Sequence, residues 1–272
     1  MAMVKRRQLT LSLVIPAYNE EHHLKACLDA ISRQSSLPDE VIVVNNNSTD
    51  QTVAIAKLYR FVRIVNEPVQ GVVFARNRGF NDAKSDVIGR IDADTILPND
   101  WVRQCRAFYA DDSHQHVAWA GGCKFYNMRF ARALSYCHGW FVFRLNRLLL
   151  GHHVLWGSNM ALPRRAWLEV RDKVLNQPNI HEDIDLSIHL HQSGWHIAHR
   201  RIKVGAKLRR VLSDRTQLYT NLLCWPRTLR LNGSKLWVLS WLLGTLPLYC
   251  LSGLPLLVEH VVARFGKTTY LE

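Results

Sequence analysis

The chain has 272 residues, with 35 Lys and Arg against 22 Asp and Glu, a formal net charge of +13. At 48 % hydrophobic and 21 % charged residues it is not a disordered chain, and its length suits one sizeable domain with or without an appendage. The basic excess asks for an anionic partner: nucleic acid, anionic lipid or a phosphorylated ligand.

Residues 1–8 are basic and residues 9–15 apolar, but Pro16 cuts the run before it reaches the length of a secretory h-region. A cytosolic N-terminus leading into a first strand, LSLVI (11–15), is the expectation. Leu24, Cys27, Leu28 and Ile31 then fall at helical spacing. EVIVV (40–44) reads as a second buried strand. Asn47-Ser48-Thr49-Asp50 is turn and capping chemistry ahead of a helix through Ala54, Ala56 and Leu58. FVRIV (61–65) is a third strand, 72–83 a helix and DVIGRID (86–92) a fourth strand. Strands alternating with helices predict an α/β fold with a mostly parallel sheet covered on both faces.

Ligands of such sheets bind beyond the carboxyl ends of the strands. Strand one is followed by Pro16-Ala17-Tyr18-Asn19-Glu20, strand two by Asn45-Asn46-Asn47-Ser48-Thr49-Asp50, and strand four by Asp92-Ala93-Asp94. The three clusters are expected on one edge, where a nucleotide-sized ligand fits. Asp92 and Asp94 point the same way on an extended chain. Two carboxylates so placed suit a hard cation, Mg²⁺ or Mn²⁺, bridging to phosphate oxygens.

Further along, Glu182, Asp183 and Asp185 open a helix through Leu186, Ile188 and Leu190. Carboxylates there are favoured by the helix dipole, so capping and catalysis both remain open at this point. His189 and His191 point in different directions on a helix and are expected to be solvated or to touch a partner. Gly194 and Trp195 read as a helix stop and a strand start. Gly157-Ser158-Asn159 is either an ordinary turn or the wall of an acceptor pocket.

The charge gathers late. Residues 200–235 carry ten Lys and Arg against Asp214 alone. Directly after them, residues 236–258 contain no charge at all, with Trp237, Trp241 and Tyr249 among them and Pro247 and Pro255 to kink a helix. A helical span takes about 20 apolar residues. A span, a re-entrant hairpin or an interfacial helix beside an anionic membrane surface is the expectation. No helix-turn-helix, zinc-finger or RNP pattern accompanies the cluster, so nucleic acid is not an expected partner. The six cysteines, at 27, 105, 123, 137, 224 and 250, form no CxxC pair and read as reduced thiols.

Taken together, SLVIPAYNEE (12–21), VIVVNNNSTDQT (41–52), ARNRG (75–79), DADTILPNDW (92–101), GSNMALPRRAW (157–167) and HEDIDLSIHLHQSGW (181–195) resemble the family 2 glycosyltransferases of the GT-A fold. The resemblance covers about residues 9–200. It implies that Pro16, Ala17, Tyr18 and Glu20 border the nucleotide, that Arg76 sits near the diphosphate or base, and that Asp92 lies near ribose and metal. It further implies that Asp94 holds the metal and that Asp183 is the general base, with Glu182, Gly157, Ser158 and Asn159 on the acceptor side. Asn46 stands where the family usually has a base-reading Asp. An amide still accepts a hydrogen bond there, without charge assistance. The QxxRW-type segment of processive synthases is missing, which points away from a polymerase with its own channel.

The organisation expected is a GT-A catalytic domain over 1–200, a basic juxtamembrane segment over 201–235 and a membrane-associating segment over 236–262. The expected activity is inverting transfer of a sugar from a nucleotide diphosphate sugar, UDP first, to a hydroxyl of a glycan or lipid-linked acceptor. The catalytic domain would lie on the cytoplasmic side of a membrane. The alternatives are transfer to a polyprenyl phosphate, and a non-catalytic glycan- or nucleotide-binding protein on the same fold.

Overall fold

The computed structural model describes residues 9–126, 130–206, 215–240 and 242. The chain forms two compact units, one of Met1–Pro178 with Glu182–Lys207, the other of Asn179–His181 with Leu208–Glu272.

The first unit opens with β1 (Leu11–Ala17), α1 (Leu24–Ser32), β2 (Glu40–Asn45), α2 (Thr52–Lys57), β3 (Val62–Asn66), α3 (Val72–Asp82) and β4 (Val87–Arg90). It continues through α4 (Trp101–Tyr109), β5 (Val117–Phe125) and α5 (Ala131–Gly139), a π turn over Trp140–Leu145, and α6 (Asn146–Leu150). It closes with β6 (Met160–Pro163), α7 (Arg164–Val170), α8 (Glu182–Gln192) and β7 (His196–Ala206). The strands make one seven-stranded sheet in the order β3-β2-β1-β4-β6-β5-β7. β1 pairs in parallel with β2 and β4, β2 with β3, and β5 with β7, while β6 runs antiparallel to both β4 and β5.

The central strands carry short apolar runs, residues 13–15 in β1 and 41–44 in β2, as strands buried on both faces do. Leu13, Val14, Ile15, Ile42 and Val44 are all buried. α3 lies unusually close to the sheet at Gly79, where a Cβ would meet Val14 Cγ1 at 2.4 Å and Val44 Cγ2 at 2.8 Å. That approach explains the glycine of the ARNRG segment. The amino ends of the strands are tied by polar groups. Asp86 accepts from the Thr10 N–H at 3.0 Å, and Glu40 accepts from the Ser12 hydroxyl at 2.6 Å while pairing with Arg63 at 2.6 Å. The carboxyl ends are left for the loops.

Gly194 takes φ +86° and ends the α8 turn, as its type predicts, and Trp195 is buried just before β7. β7 carries the sheet on to Ala206, past the expected boundary at 200.

In the second unit, α9 (Arg215–Leu231) contains Pro226, and α10 (Trp237–Ser240) is short. Among the described residues no helix is long and apolar enough to cross a membrane. Most of the expected membrane segment, 236–262, lies outside the described residues, as does 207–214 of the basic segment.

Candidate active site

Parallel β1, β2 and β4 are neighbours, so the segments after them emerge on one edge, as the alternation pattern predicts. Two of these loops are stitched together. Asn19, at φ 52°, accepts from the Thr49 N–H at 2.9 Å through Oδ1. The Glu20 N–H donates to Thr52 Oγ1 at 2.7 Å, and the Glu21 N–H donates to Asp50 Oδ2 at 3.0 Å. Burial works to raise the Asp50 pKa, but hydrogen bonds from Thr52 and from the Glu21 backbone outweigh it and leave the carboxyl below its ordinary value. Ala17 ends β1 in the buried sheet, Pro16 is half-buried, Tyr18 is exposed and Glu20 is buried.

Asn46 joins a third segment. Its Nδ2 donates to Glu67 O at 3.0 Å and to Val69 O at 2.7 Å, and its Oδ1 accepts from the Gly71 N–H at 2.8 Å. The side chain is buried and its amide is committed to the 67–71 loop. Two donated bonds of this kind are available to Asn and not to a carboxylate. They supply a local reason for the amide where the family usually has an acid.

The Asp92-Ala93-Asp94 turn follows β4. It is held from the far side of the sheet, where Ile96 and Gly205 exchange backbone hydrogen bonds at 2.9 and 2.8 Å. Beneath it, the buried Cys27 thiol lies 3.8 Å from the Asp92 carbonyl. Burial, then Asp94, Asp92 and Glu20, push that thiol far above its ordinary range. All three acids expected on the donor side act on that one thiol.

The organising side chain was not among the residues singled out from the sequence. Arg90, the last residue of β4, is buried, yet its Nη2 donates to Asp92 Oδ1 at 3.0 Å and its Nη1 pairs with Glu182 at 2.8 Å. Burial disfavours its charge, but Asp92, Glu182 and Asp183 outweigh this and raise its pKa. One guanidinium thus joins the first acid of DxD to the first acid of the Glu182–Asp183 pair. A charged residue inside an otherwise apolar strand, VIGR, was the signal available.

Gly157, Ser158 and Asn159 divide their tasks. The Gly157 N–H donates to Asp183 Oδ2 at 3.2 Å. The Ser158 hydroxyl donates to Asp92 Oδ2. Asn159 is sealed in the core: its Oδ1 accepts from Trp101 Nε1 at 2.8 Å, and its Nδ2 donates to Gly122 O and Ile202 O at 2.9 and 3.1 Å. The first two residues face the two acid clusters, and the third braces α4, β5 and β7 from below.

On α8, Glu182 is buried and Asp183 is half-buried, with Asp183 Oδ1 accepting from the Ile184 N–H at 2.8 Å. Asp185 is buried, accepts from the Leu175 N–H at 2.9 Å and lies 3.4 Å from His189. It ties the preceding loop to the helix. His189 is thus largely buried beside Asp185 rather than solvated, and His191 stacks on His152 with ring centroids 4.3 Å apart. Arg76 is wholly buried, stacks over Trp167 and Phe80, and among the described residues none of its guanidinium nitrogens has a hydrogen-bond partner. Burial lowers its pKa to about 10, against the opposing pull of Glu182. Among the described residues no group of three or more His, Cys, Asp or Glu is placed to hold a metal ion.

The glycosyl transferase family 2 profile matches residues 12–170, more than half of the chain. The chondroitin synthase of Pasteurella multocida (strain Pm70) is 36 % identical over 106 residues, which are 38 % of this chain and 11 % of that protein. The uncharacterized glycosyltransferase EpsJ of Bacillus subtilis (strain 168) is 28 % identical over 120 residues, 43 % of this chain and 34 % of EpsJ. The matched part is thus a minor share of each of these relatives' own length. Among solved structures, S. aureus TarS 1–349 in complex with UDP-GlcNAc superposes with TM-score 0.59 at 20 % identity, covering 74 % of this chain and 59 % of that one. The mannosyltransferase PcManGT from Pyrobaculum calidifontis, in complex with GDP-Man and Mn²⁺, gives TM-score 0.59 at 18 % identity, covering 80 % of this chain and 62 % of that one. At such identities the likeness is one of fold, and it agrees with the GT-A-like sheet described above. The match of the family profile over residues 12–170, more than half of the chain and including Asp92 and Asp94, shows that this chain belongs to glycosyl transferase family 2.

Proposed function

We propose that the chain transfers a sugar from a nucleotide diphosphate sugar, UDP-linked first, to a hydroxyl of a glycan or lipid-linked acceptor, with inversion at the anomeric carbon. The observation that carries this reading is the Arg90 bridge, whose one guanidinium meets both Asp92 and Glu182, the neighbour of Asp183. The UDP-GlcNAc bound to TarS and the GDP-Man bound to PcManGT support a nucleotide-sugar donor.

Asp183 takes the acceptor proton as the hydroxyl oxygen attacks C1, and the bond from C1 to the diphosphate oxygen breaks. The backbone N–H groups of Gly157 and Ile184 fix the carboxylate for that step. One base acting alone gives a single displacement and hence inversion. Pro16, Ala17, Tyr18 and Glu20 line the nucleotide side, with Asn46 holding the loop behind it. Each oxygen of Asp92 accepts one hydrogen bond, from Arg90 and from Ser158, and keeps a further lone pair. Asp94, with Asp92 two residues before it, offers the hard oxygen donors that Mg²⁺ or Mn²⁺ takes and would hold the cation. Such a cation supplies Lewis-acid stabilisation of the leaving diphosphate. Basic residues 201–235 and the uncharged run 236–258 support association with the cytoplasmic face of an anionic membrane.

A nucleotide-sugar panel with Mn²⁺ and Mg²⁺, read as thermal stabilisation and as sugar release, tests the reading. Asp94→Ala is expected to abolish the metal-stimulated rate. Asp183→Asn is expected to lower kcat by about 10²–10⁴, the usual worth of a general base. Full rate in Asp183→Asn would shift the acceptor to a phosphate, which needs no base. No response to any nucleotide would leave a non-catalytic binding protein.

A further inference from the structure

The helical run between β5 and β6 takes no part in the site above, and its outer surface is unlike that of a helix facing water. α5, the π turn and α6 continue without interruption from residue 131 to residue 150, about 30 Å at 1.5 Å per residue. Phe143, Leu145 and Leu149 are buried. The exposed positions recur turn by turn: Arg132 with Ala133, Tyr136 with Cys137, Trp140, Arg144, and Arg147 with Leu148. Tyr136 is 76 % exposed, Leu148 79 %, Trp140 43 %, and Phe130 at the head of the helix 67 %.

A solvated helix carries charges of both signs on its outer face. Here that face holds aromatic and aliphatic side chains, and its charges are Arg132, Arg144 and Arg147. No Asp or Glu occurs anywhere from residue 113 to residue 168. Large apolar side chains left in water need an occupant for the surface. A second copy packed here about a two-fold axis would set three arginines against three arginines with no acid on the helix to answer them. An anionic bilayer answers all of them. Trp and Tyr favour the boundary between headgroups and acyl chains, and Arg favours anionic headgroups.

We propose that the outer stripe of the 131–150 helix is a membrane-interface surface. Tyr136, Trp140 and Leu148 sit at the headgroup–acyl boundary, and Arg132, Arg144 and Arg147 lie on anionic headgroups. The inference shares its partner with the proposed function, but it rests neither on the sugar-transfer chemistry nor on the C-terminal uncharged run.

Cys137 lies exposed on the same helix, whereas Cys27, Cys105, Cys123 and Cys224 are buried. The full chain carrying Cys250→Ser is labelled at Cys137 with an environment-sensitive nitrobenzoxadiazole. It is then mixed with vesicles of phosphatidylcholine alone or with added phosphatidylglycerol. With phosphatidylglycerol the label emission is expected to shift to the blue and to be quenched by nitroxide-bearing lipid. The triple variant Arg132→Gln, Arg144→Gln, Arg147→Gln is expected to lose that shift several-fold while its melting temperature holds. A label that stays in water while the protein sediments with the vesicles would overturn the proposal, because another segment then makes the contact. So would an equal response to both vesicle types, or a shift in buffer that grows with protein concentration, which marks a second copy. Absence of sugar transfer with the label in the membrane leaves this inference standing and removes only the catalytic reading.

Discussion

The Gly157 backbone runs so close to Arg90 that a Cβ on residue 157 would fall 1.6 Å from the guanidinium Nη1. The guanidinium also binds Asp92 and Glu182, so it has no empty space to retreat into. Gly157→Ala is expected to destabilise the protein by about 1–3 kcal/mol, the range for overpacking a filled interior. It should also lower kcat, because the Gly157 N–H that holds Asp183 moves with the backbone. Urea unfolding and a turnover assay check the two effects separately.

The Arg90–Glu182 pair is buried on both sides. Removing one partner of such a pair strands the other charge and costs about 3–5 kcal/mol. Arg90→Gln and Glu182→Gln are each expected to be strongly destabilising, and the double variant to recover a substantial part of the loss. Additive losses in denaturant melts would refute the pairing. Arg90→Lys should not substitute, since a single ammonium lacks the fork that meets both acids.

For Asn46, the informative change is to the acid usual in the family. Asn46→Asp removes the bonds to Glu67 O and Val69 O and sets a carboxylate against two carbonyls. A loss of about 1–3 kcal/mol is expected, with faster hydrogen exchange across residues 67–71. Unchanged exchange there would show that the amide does not anchor the loop.

His138 gives a pH signature. Burial drops its pKa to about 4, with Cys123 Sγ 3.5 Å away and the Phe125 and Trp156 rings beside it. Between pH 6.5 and 4 the unfolded chain binds the proton and the folded chain does not. Stability therefore rises with pH across that window and falls on acidification, by at most ~3 kcal/mol from this residue. His152, His153 and His199 are displaced in the same direction. His138→Phe is expected to flatten the slope of melting temperature against pH below neutrality.

The amino-terminal half was legible because its signals are local. Short apolar strands, turn residues and helical spacing sit within a few positions of one another, and parallel pairing of β1 with β2 and β4 then brings the loops together. Asp92, Asp94 and Asp183 could be singled out for the same reason, since each lies at the end of a recognisable element. Arg90 was missed because its meaning depends on Glu182, 92 positions away. Asn159 carried a similar ambiguity. As part of a Gly-Ser-Asn triplet it reads as turn or pocket, and only the fold brings Trp101, Gly122 and Ile202 within its reach. The 131–150 helix escaped because a π turn breaks its 3.6-residue rhythm and because its outer face is not polar. β6, at four residues, is too short to announce its reversed direction.

The Arg90 bridge has a consequence for how the chain can diverge. Asp92 and Glu182 come from distant parts of the sequence, yet a single side chain sets the distance between them, like a fixed ruler. Loop lengths around the cleft can drift without altering that spacing, provided the β4 terminus and the start of α8 keep their places. Changes confined to the surrounding loops are therefore expected to leave the interval between the two acids constant as long as Arg90 keeps both partners.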